Sequence, residues 1–518
     1  MTENFNRVTC PKCGYEENPT TAKKCEICGQ VLKKGNSLAP LLAGTAAAAL
    51  LGTLGYLGYG LVKGGRQAPA PAPSPQAANA PSPSPGPTVA IPSAVPGGQS
   101  MDTAALISWG GQVLFKDIPG ADMAAGAAAY AQGDYPTAAS HFQRVRQAAR
   151  GEPEALIYLN NARLGATPAL GVAAVVPISD TANAARELLR GVAQAQDEAI
   201  KAGMPIKVLI ADDNNNPDQA RAIAAALSQD PAIMGVIGHG TSTTTLVAAP
   251  IYQQAGLPMI APTSTSTELA ALPRSGPNLI FRVIASDQFT GTALARHLLS
   301  RKQQKPIVFY NSQSSYSTSL LEALSTTIGL EGGQVVKTVD LSQGSPAGEL
   351  QGTDADSLVL LPDSKSFEAA IAVARANQGR LPLVAGDAFY RIETLEQARA
   401  SLQGAVLAVP WHPRKSNPQF AQAAAQLWGG DINWRTALSY DALQVLQAAA
   451  ATGNVTPALP APQARQALAQ ALGASGFTAT GSTGAISFLP SGDRNSTVTL
   501  VRVEPGQRSG TGFDFVPF

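Results

Sequence analysis

Twice between Gly171 and Ala385, short apolar runs alternate with amphipathic stretches, and that alternation leaves few folds open. Val172 to Pro177, Ile206 to Ala211, Ile233 to Ile237 and Met259 to Ala261 read as buried strands. Helices are expected between them, near Ala182 to Ala202, Pro217 to Gln229 and Thr243 to Gln254. Brief apolar runs spaced by helices predict a parallel sheet covered on both faces. A second set of strands follows at Pro306 to Tyr310, Gln334 to Val339, Ser357 to Leu361 and Leu383 to Ala385. The expected fold class is therefore α/β, with two doubly wound parallel-sheet lobes and a ligand cleft lined by the carboxyl ends of the strands.

The chain ahead of these lobes, taken as residues 167–518, divides into four pieces. All four cysteines fall in the first 28 residues, as Cys10-x2-Cys13 and Cys25-x2-Cys28. That spacing suits a tetrahedral thiolate site for structural zinc, and residues 1–36 resemble a short zinc ribbon. Two disulfides are the alternative, disfavoured in a cytoplasmic segment. From Leu38 to Val62 no charged side chain occurs, a run long enough to cross a bilayer as a helix, so residues 37–63 are expected to span the membrane. A cleaved signal peptide is opposed by the zinc motif ahead of the run and by its length. Arg7, Lys12, Lys23, Lys24, Lys33 and Lys34 precede the run and only Lys63 and Arg66 follow closely, which puts the N-terminus in the cytoplasm and the remainder outside it. Residues 64–102, rich in Pro, Ala and Ser, cannot bury a core and read as an extended tether of roughly 100 Å. Residues 103–166 turn helical. Gly133-Asp134-Tyr135 and Pro153-Glu154-Ala155 resemble the turn and second-helix start of one tetratricopeptide-type unit, against a plain helical linker. A single such unit is expected to pack on the binding lobes or on another protein.

Charge excludes one large class of function. The 37 Lys and Arg balance 36 Asp and Glu, so no basic field favours nucleic acid. His141, His239, His297 and His412 are scattered, and no nucleophile elbow, phosphate-binding loop or metal cluster follows residue 28, so no enzyme is expected. What stands out is hydroxyl-rich: Thr241 to Thr245 and Thr263 to Thr267 each follow a strand. Each also opens a helix, where hydroxyls, free backbone N–H groups and the helix dipole converge on an anion. One such cluster alone reads as a helix cap; two at adjacent strand ends point to a ligand.

The run Val236-Ile-Gly-His-Gly-Thr-Ser-Thr-Thr-Thr, followed by Pro250-Ile-Tyr and by Gly256-Leu-Pro-Met-Ile-Ala-Pro-Thr-Ser-Thr-Ser-Thr-Glu-Leu, resembles the type I periplasmic binding proteins of the leucine/isoleucine/valine-binding family. Asp212-Asp213, Phe281-Arg282-Val283 with Asp287 and Gly291, and Tyr316 extend the resemblance over about 340 residues. The whole arrangement is similar to membrane-anchored branched-chain amino-acid type binding proteins of cyanobacteria. The resemblance implies that Ser242 and Thr265, with Thr243 and the backbone of Ser264 beside them, hold a ligand carboxylate. It implies that Asp387 meets the ligand ammonium and that Tyr316 adds an aromatic from the second lobe. An α-amino acid is thus expected, in an extracytoplasmic, anchored subunit of an ABC importer that works with a permease and an ATPase. Alternatives are a ligand-sensing ectodomain and a scaffold with a vestigial cleft. Where the family often has an aromatic after the strand ending at Leu361, this chain has Pro362-Asp363-Ser364, which leaves the identity of the side-chain pocket open.

Overall fold

A computed structural model describes residues 7–8, 18–19, 102–118, 120–274, 276–343 and 346–518. The expected membrane span, the tether up to residue 101 and the four expected zinc-ligating cysteines lie outside these residues. Of the N-terminal segment, only the pairing of β1 (Arg7–Val8) antiparallel to β2 (Asn18–Pro19) is described. Among the described residues no helix is long and apolar enough to cross a membrane, and no cluster of His, Cys, Asp and Glu could hold a metal ion.

After β3 (Ile107–Ser108) come three helices, α1 (Asp122–Ala131), α2 (Tyr135–Ala148) and α3 (Pro153–Leu164). The first lobe then alternates β4 (Leu170–Val176), α4 (Ala182–Lys201), β5 (Ile206–Asp212), α5 (Pro217–Gln229), β6 (Ile233–Ile237), α6 (Ser242–Gln254), β7 (Met259–Ala261), α7 (Glu268–Ala271) and β8 (Ile280–Arg282). Its sheet runs β3-β5-β4-β6-β7-β8, parallel throughout except for the short edge strand β3. All seven residues of β4 are buried, because helices cover both faces of a parallel sheet.

The second lobe starts with α8 (Asp287–Ser300), β9 (Pro306–Tyr310), α9 (Ser315–Leu330) and β10 (Lys337–Asp340). It continues through β11 (Ser357–Leu361), α10 (Phe367–Asn377), β12 (Leu383–Ala385), α11 (Ile392–Ala398) and β13 (Val406–Val409). The chain then supplies α12 (Pro418–Trp428), α13 (Trp434–Thr452), α14 (Ala461–Leu472) and the hairpin β14 (Ala479–Gly481) and β15 (Gly484–Ile486). These pack on the first lobe: the Trp428 indole N–H donates to Gln194 of α4, and Arg465 of α14 donates to the Ile233 carbonyl of β6. Finally β16 (Thr499–Pro505) and β17 (Phe513–Pro517) return to close the second sheet, whose order is β10-β9-β11-β12-β13-β16-β17. The chain therefore passes between the lobes three times.

Three departures from the sequence expectation have physical reasons. The strand expected at Gln334 to Val339 is Lys337–Asp340, an edge strand with exposed or half-exposed residues, so no apolar run fixes its ends. The second lobe is not purely parallel, since β16 and β17 are antiparallel to β13 and to each other. Nor is the segment 103–166 wholly helical. Ile107–Ser108 extends the first sheet, and α3 is anchored to it through Asn161, which donates to the carbonyls of Trp109 (2.8 Å) and Val208 (2.7 Å). Buried Glu154 accepts the backbone N–H groups of Leu114 (2.6 Å) and Phe115 (3.3 Å), and burial pushes its carboxyl up to about 7. The helical segment is thus part of the first lobe's packing.

Candidate ligand-binding site

The carboxyl ends of both sheets face one another, and helix capping decides which side chains reach the space between them. Thr241 caps α6 by accepting the Thr244 N–H, so Ser242 and Thr243 begin the helix where its first N–H groups have no intrahelical partner. Ser242 Oγ accepts the Ser266 N–H at 3.3 Å, and Thr243 Oγ1 accepts the N–H of Ser315 from the opposite lobe at 3.3 Å. On that opposite side Ser314 caps α9 and places Tyr316 in the helix's first turn. The Tyr316 hydroxyl donates to Asp387 Oδ1 at 2.9 Å and accepts the Ala388 N–H at 3.3 Å. Gly386 makes this approach possible, because a Cβ there would collide with the Tyr316 hydroxyl and lie 2.8 Å from Leu320 Cδ2.

Ser242, Thr243, Tyr316 and Asp387 line a single cavity of about 90 Å³. The lobes are closed around it: Asn215 donates to Ser364 Oγ (3.1 Å), Ser364 to Asp180 (3.0 Å), Ser319 Oγ accepts the Thr267 N–H (2.9 Å) and Asn183 donates to Glu393 (2.9 Å). Burial raises the Asp387 carboxyl, while the Tyr316 hydrogen bond and the positive charge of Arg435 work the other way. The cavity can therefore take an anionic group at the start of α6 and a cationic one at Asp387.

Ser264 and Thr265 lie elsewhere. Both are fully buried, and neither lines the cavity; Thr263 does. Ser264 Oγ is engaged with Thr245 Oγ1 and the Thr241 carbonyl, and so supports the cap of α6. Among the described residues Thr265 Oγ1 has no well-formed hydrogen bond, and it lies near the buried carboxylate of Asp287. His239 is a packed residue of the first lobe, between Asp213 Oδ2 (2.7 Å) and the Tyr252 hydroxyl (3.1 Å).

Three cavity residues carry no local sequence signal. Arg391 follows the 3-10 turn after β12, while Trp434 and Arg435 open α13, some 190 residues from Ser242. Asp363 also lines the cavity, with its carboxylate accepting from Asn311 and Ser366, so the place where the family often has an aromatic is polar here. A second, larger cavity of about 480 Å³ adjoins the first and shares Ala184, Arg391 and Arg435 with it.

Comparison with known proteins supplies a context for this geometry. A family model described as periplasmic binding protein matches residues 171–509. An amino acid binding protein of Pseudomonas aeruginosa is 28% identical over 159 residues, 30% of this chain and 42% of that protein. The Leu/Ile/Val-binding protein of Escherichia coli K12 is 32% identical over 147 residues, 28% of this chain and 38% of that protein. The matched stretch thus spans about two fifths of these curated relatives. Among solved structures, a leucine binding protein from Thermotoga maritima superposes with a TM-score of 0.58 at 21% identity, covering 67% of this chain and 97% of that one. A solute binding protein of Rhodopseudomonas palustris in complex with 3,4-dihydroxybenzoic acid reaches 0.57 at 16% identity, covering 68% and 96%. At these identities the two structures share the fold.

Proposed function

Since the chain belongs to the periplasmic binding protein family, and is thus a solute-binding protein rather than an enzyme, we propose that its lobes close on an α-amino acid and deliver it to an ABC importer. One observation carries the reading: Ser242 at the start of α6 and the Tyr316–Asp387 pair of the opposite lobe line the same cavity between the lobes. A carboxylate at the first and an ammonium at the second are the two ends of an amino acid. The names of the curated relatives, an amino acid binding protein and a Leu/Ile/Val-binding protein, support the same class. Calorimetric titration of the protein with a panel of L-amino acids and their deaminated analogues tests it. Saturable binding of an amino acid with little binding of its analogue is expected; binding of the analogue as tightly as the amino acid would remove the ammonium from the reading.

The remaining parts of the proposal rest on sequence. Cys10, Cys13, Cys25 and Cys28 hold a structural zinc in the cytoplasm, and the uncharged run Leu38 to Val62 anchors the protein in the inner membrane. The lobes then lie on the extracytoplasmic side, within reach of a permease driven by an ATPase. The excess of Lys and Arg before the run supports that orientation.

A further inference from the structure

Two guanidiniums of the cavity wall, those of Arg435 and Arg391, have few direct partners. Arg435, second residue of α13, uses its backbone N–H on the Asn433 cap, but its guanidinium makes no hydrogen bond or ion pair with the described residues. Its Cζ lies over the neighbouring Trp434 ring, 4.3 Å from the centroid, a contact that uses none of its N–H groups as hydrogen-bond donors to an oxygen. Burial pushes it down to about 10, and the charge of Arg391 adds to the shift. Arg391 itself stacks 4.1 Å over Phe367 and touches Glu393 only at 3.5 Å.

The acids nearby have hydrogen-bond partners of their own, and Asp387 and Glu187 attract Arg435 only through space. Glu393 takes the Asn183 amide, Glu187 takes Arg190 and the Thr436 hydroxyl, and Asp387 takes the Tyr316 hydroxyl. Two partly buried guanidiniums with one weak ion pair between them are a costly arrangement unless an anion arrives. A branched aliphatic side chain placed there would leave both cations dry and unpaired. The polar wall at Asp363 and Ser364 offers it no apolar bed either.

We infer that Arg435 and Arg391 form a second anion subsite, so that the ligand is an amino acid whose side chain ends in a carboxylate. The inference rests on the amino-acid reading above and narrows it. The α-carboxylate faces the start of α6, the ammonium faces Asp387, and the side-chain carboxylate lies against the guanidinium edges of Arg435 and Arg391. The larger cavity beyond these arginines gives a longer acidic side chain room to extend.

Calorimetric titration of the purified full chain with L-glutamate, L-aspartate, L-glutamine and L-leucine decides. One of the two acids is expected to bind tightest. Arg435→Gln should weaken that acid by roughly 30-fold or more, as loss of a partner to a buried charge does, and should weaken L-glutamine far less. Arg435→Lys, which keeps the charge but not the fork, should fall between. Thermal melting of each variant without ligand checks that it folds; Arg391→Gln replaces Arg435→Gln in the comparison if the latter does not. L-leucine binding tightest, in an Asp387-dependent way, would overturn the acidic subsite and leave the amino-acid reading standing. Binding of none of the four would overturn both.

Discussion

Asp287 gives the sharpest test of the electrostatics behind the cleft. It is the first residue of α8 and fully buried; among the described residues neither carboxylate oxygen makes a well-formed hydrogen bond, and the Thr265 and Ser319 hydroxyls and the Arg282 charge only partly offset its burial. Burial, helped by the negative charge of Asp387, pushes its carboxyl from the usual 3.8 up to about 7. Between those values the folded chain binds a proton that the unfolded chain has released, so the protein loses stability as pH rises through this window. Three units at ~1.4 kcal/mol each put the full penalty at a few kcal/mol, more than half of which falls between pH 5 and pH 8. Asp287→Asn keeps the shape, removes the titration and offers the unpartnered Thr265 hydroxyl an uncharged neighbour. The variant should therefore gain on the wild type by about 2 to 3 kcal/mol over that pH range. Urea unfolding of both proteins at pH 5, 6.5 and 8 measures the difference, in which titrating groups distant from Asp287 cancel and the coupled Asp387 is relieved of a neighbouring charge. Stability curves parallel to within about 0.5 kcal/mol across that range would mean that the carboxylate is solvated or paired, and the account of a dry site beside the cleft would fail.

Three further outcomes follow from the same structure. Asp387→Ala should weaken the preferred amino acid roughly 10- to 150-fold and its deaminated analogue hardly at all, since only an ammonium loses its counter-charge; equal losses in calorimetry would make Asp387 a fold residue. Gly191→Ala should destabilise the protein by about 1 to 2 kcal/mol, because a Cβ there would run into the Thr436 carbonyl and the Ser439 hydroxyl of α13, a steric cost exceeding alanine's better helix propensity. An unchanged urea midpoint would show that α4 and α13 have slack. The full chain should carry about one zinc per molecule by elemental analysis, and Cys10→Ser with Cys25→Ser should abolish it; retained zinc in that double variant would place the metal elsewhere.

How much of this was legible in the sequence depended on whether the signal was local. The strands Ile233–Ile237, Met259–Ala261, Pro306–Tyr310, Ser357–Leu361 and Leu383–Ala385 and the helix Pro217–Gln229 coincide with the reading from apolar runs and caps, because burial on both faces writes itself into consecutive residues. The cap of α6 was legible for the same reason, and it brought Ser242 and Thr243 to the cavity. Thr265 was assigned from resemblance, and the closed lobes put its side chain behind the cavity wall, near Asp287. Arg435 could not have been found this way: it reaches the cavity only because α13 lies on α4, a contact between segments some 240 residues apart. The antiparallel return of β16 and β17 was missed because their alternating burial, clear in β16, reads as weakly apolar beside the continuous runs of the parallel strands.

The docking of residues 103–164 has a mechanical side. β3 is stitched to β5, Asn161 to Val208, and Arg146 and Arg150 to the carbonyls of Leu427 and Gln426, all within one lobe. A load applied at Asp102 would therefore enter one jaw, through that jaw's sheet and helices. If the chain ahead of it is the tether proposed above, the pull would not be shared directly with the second jaw, whose strands begin at Pro306.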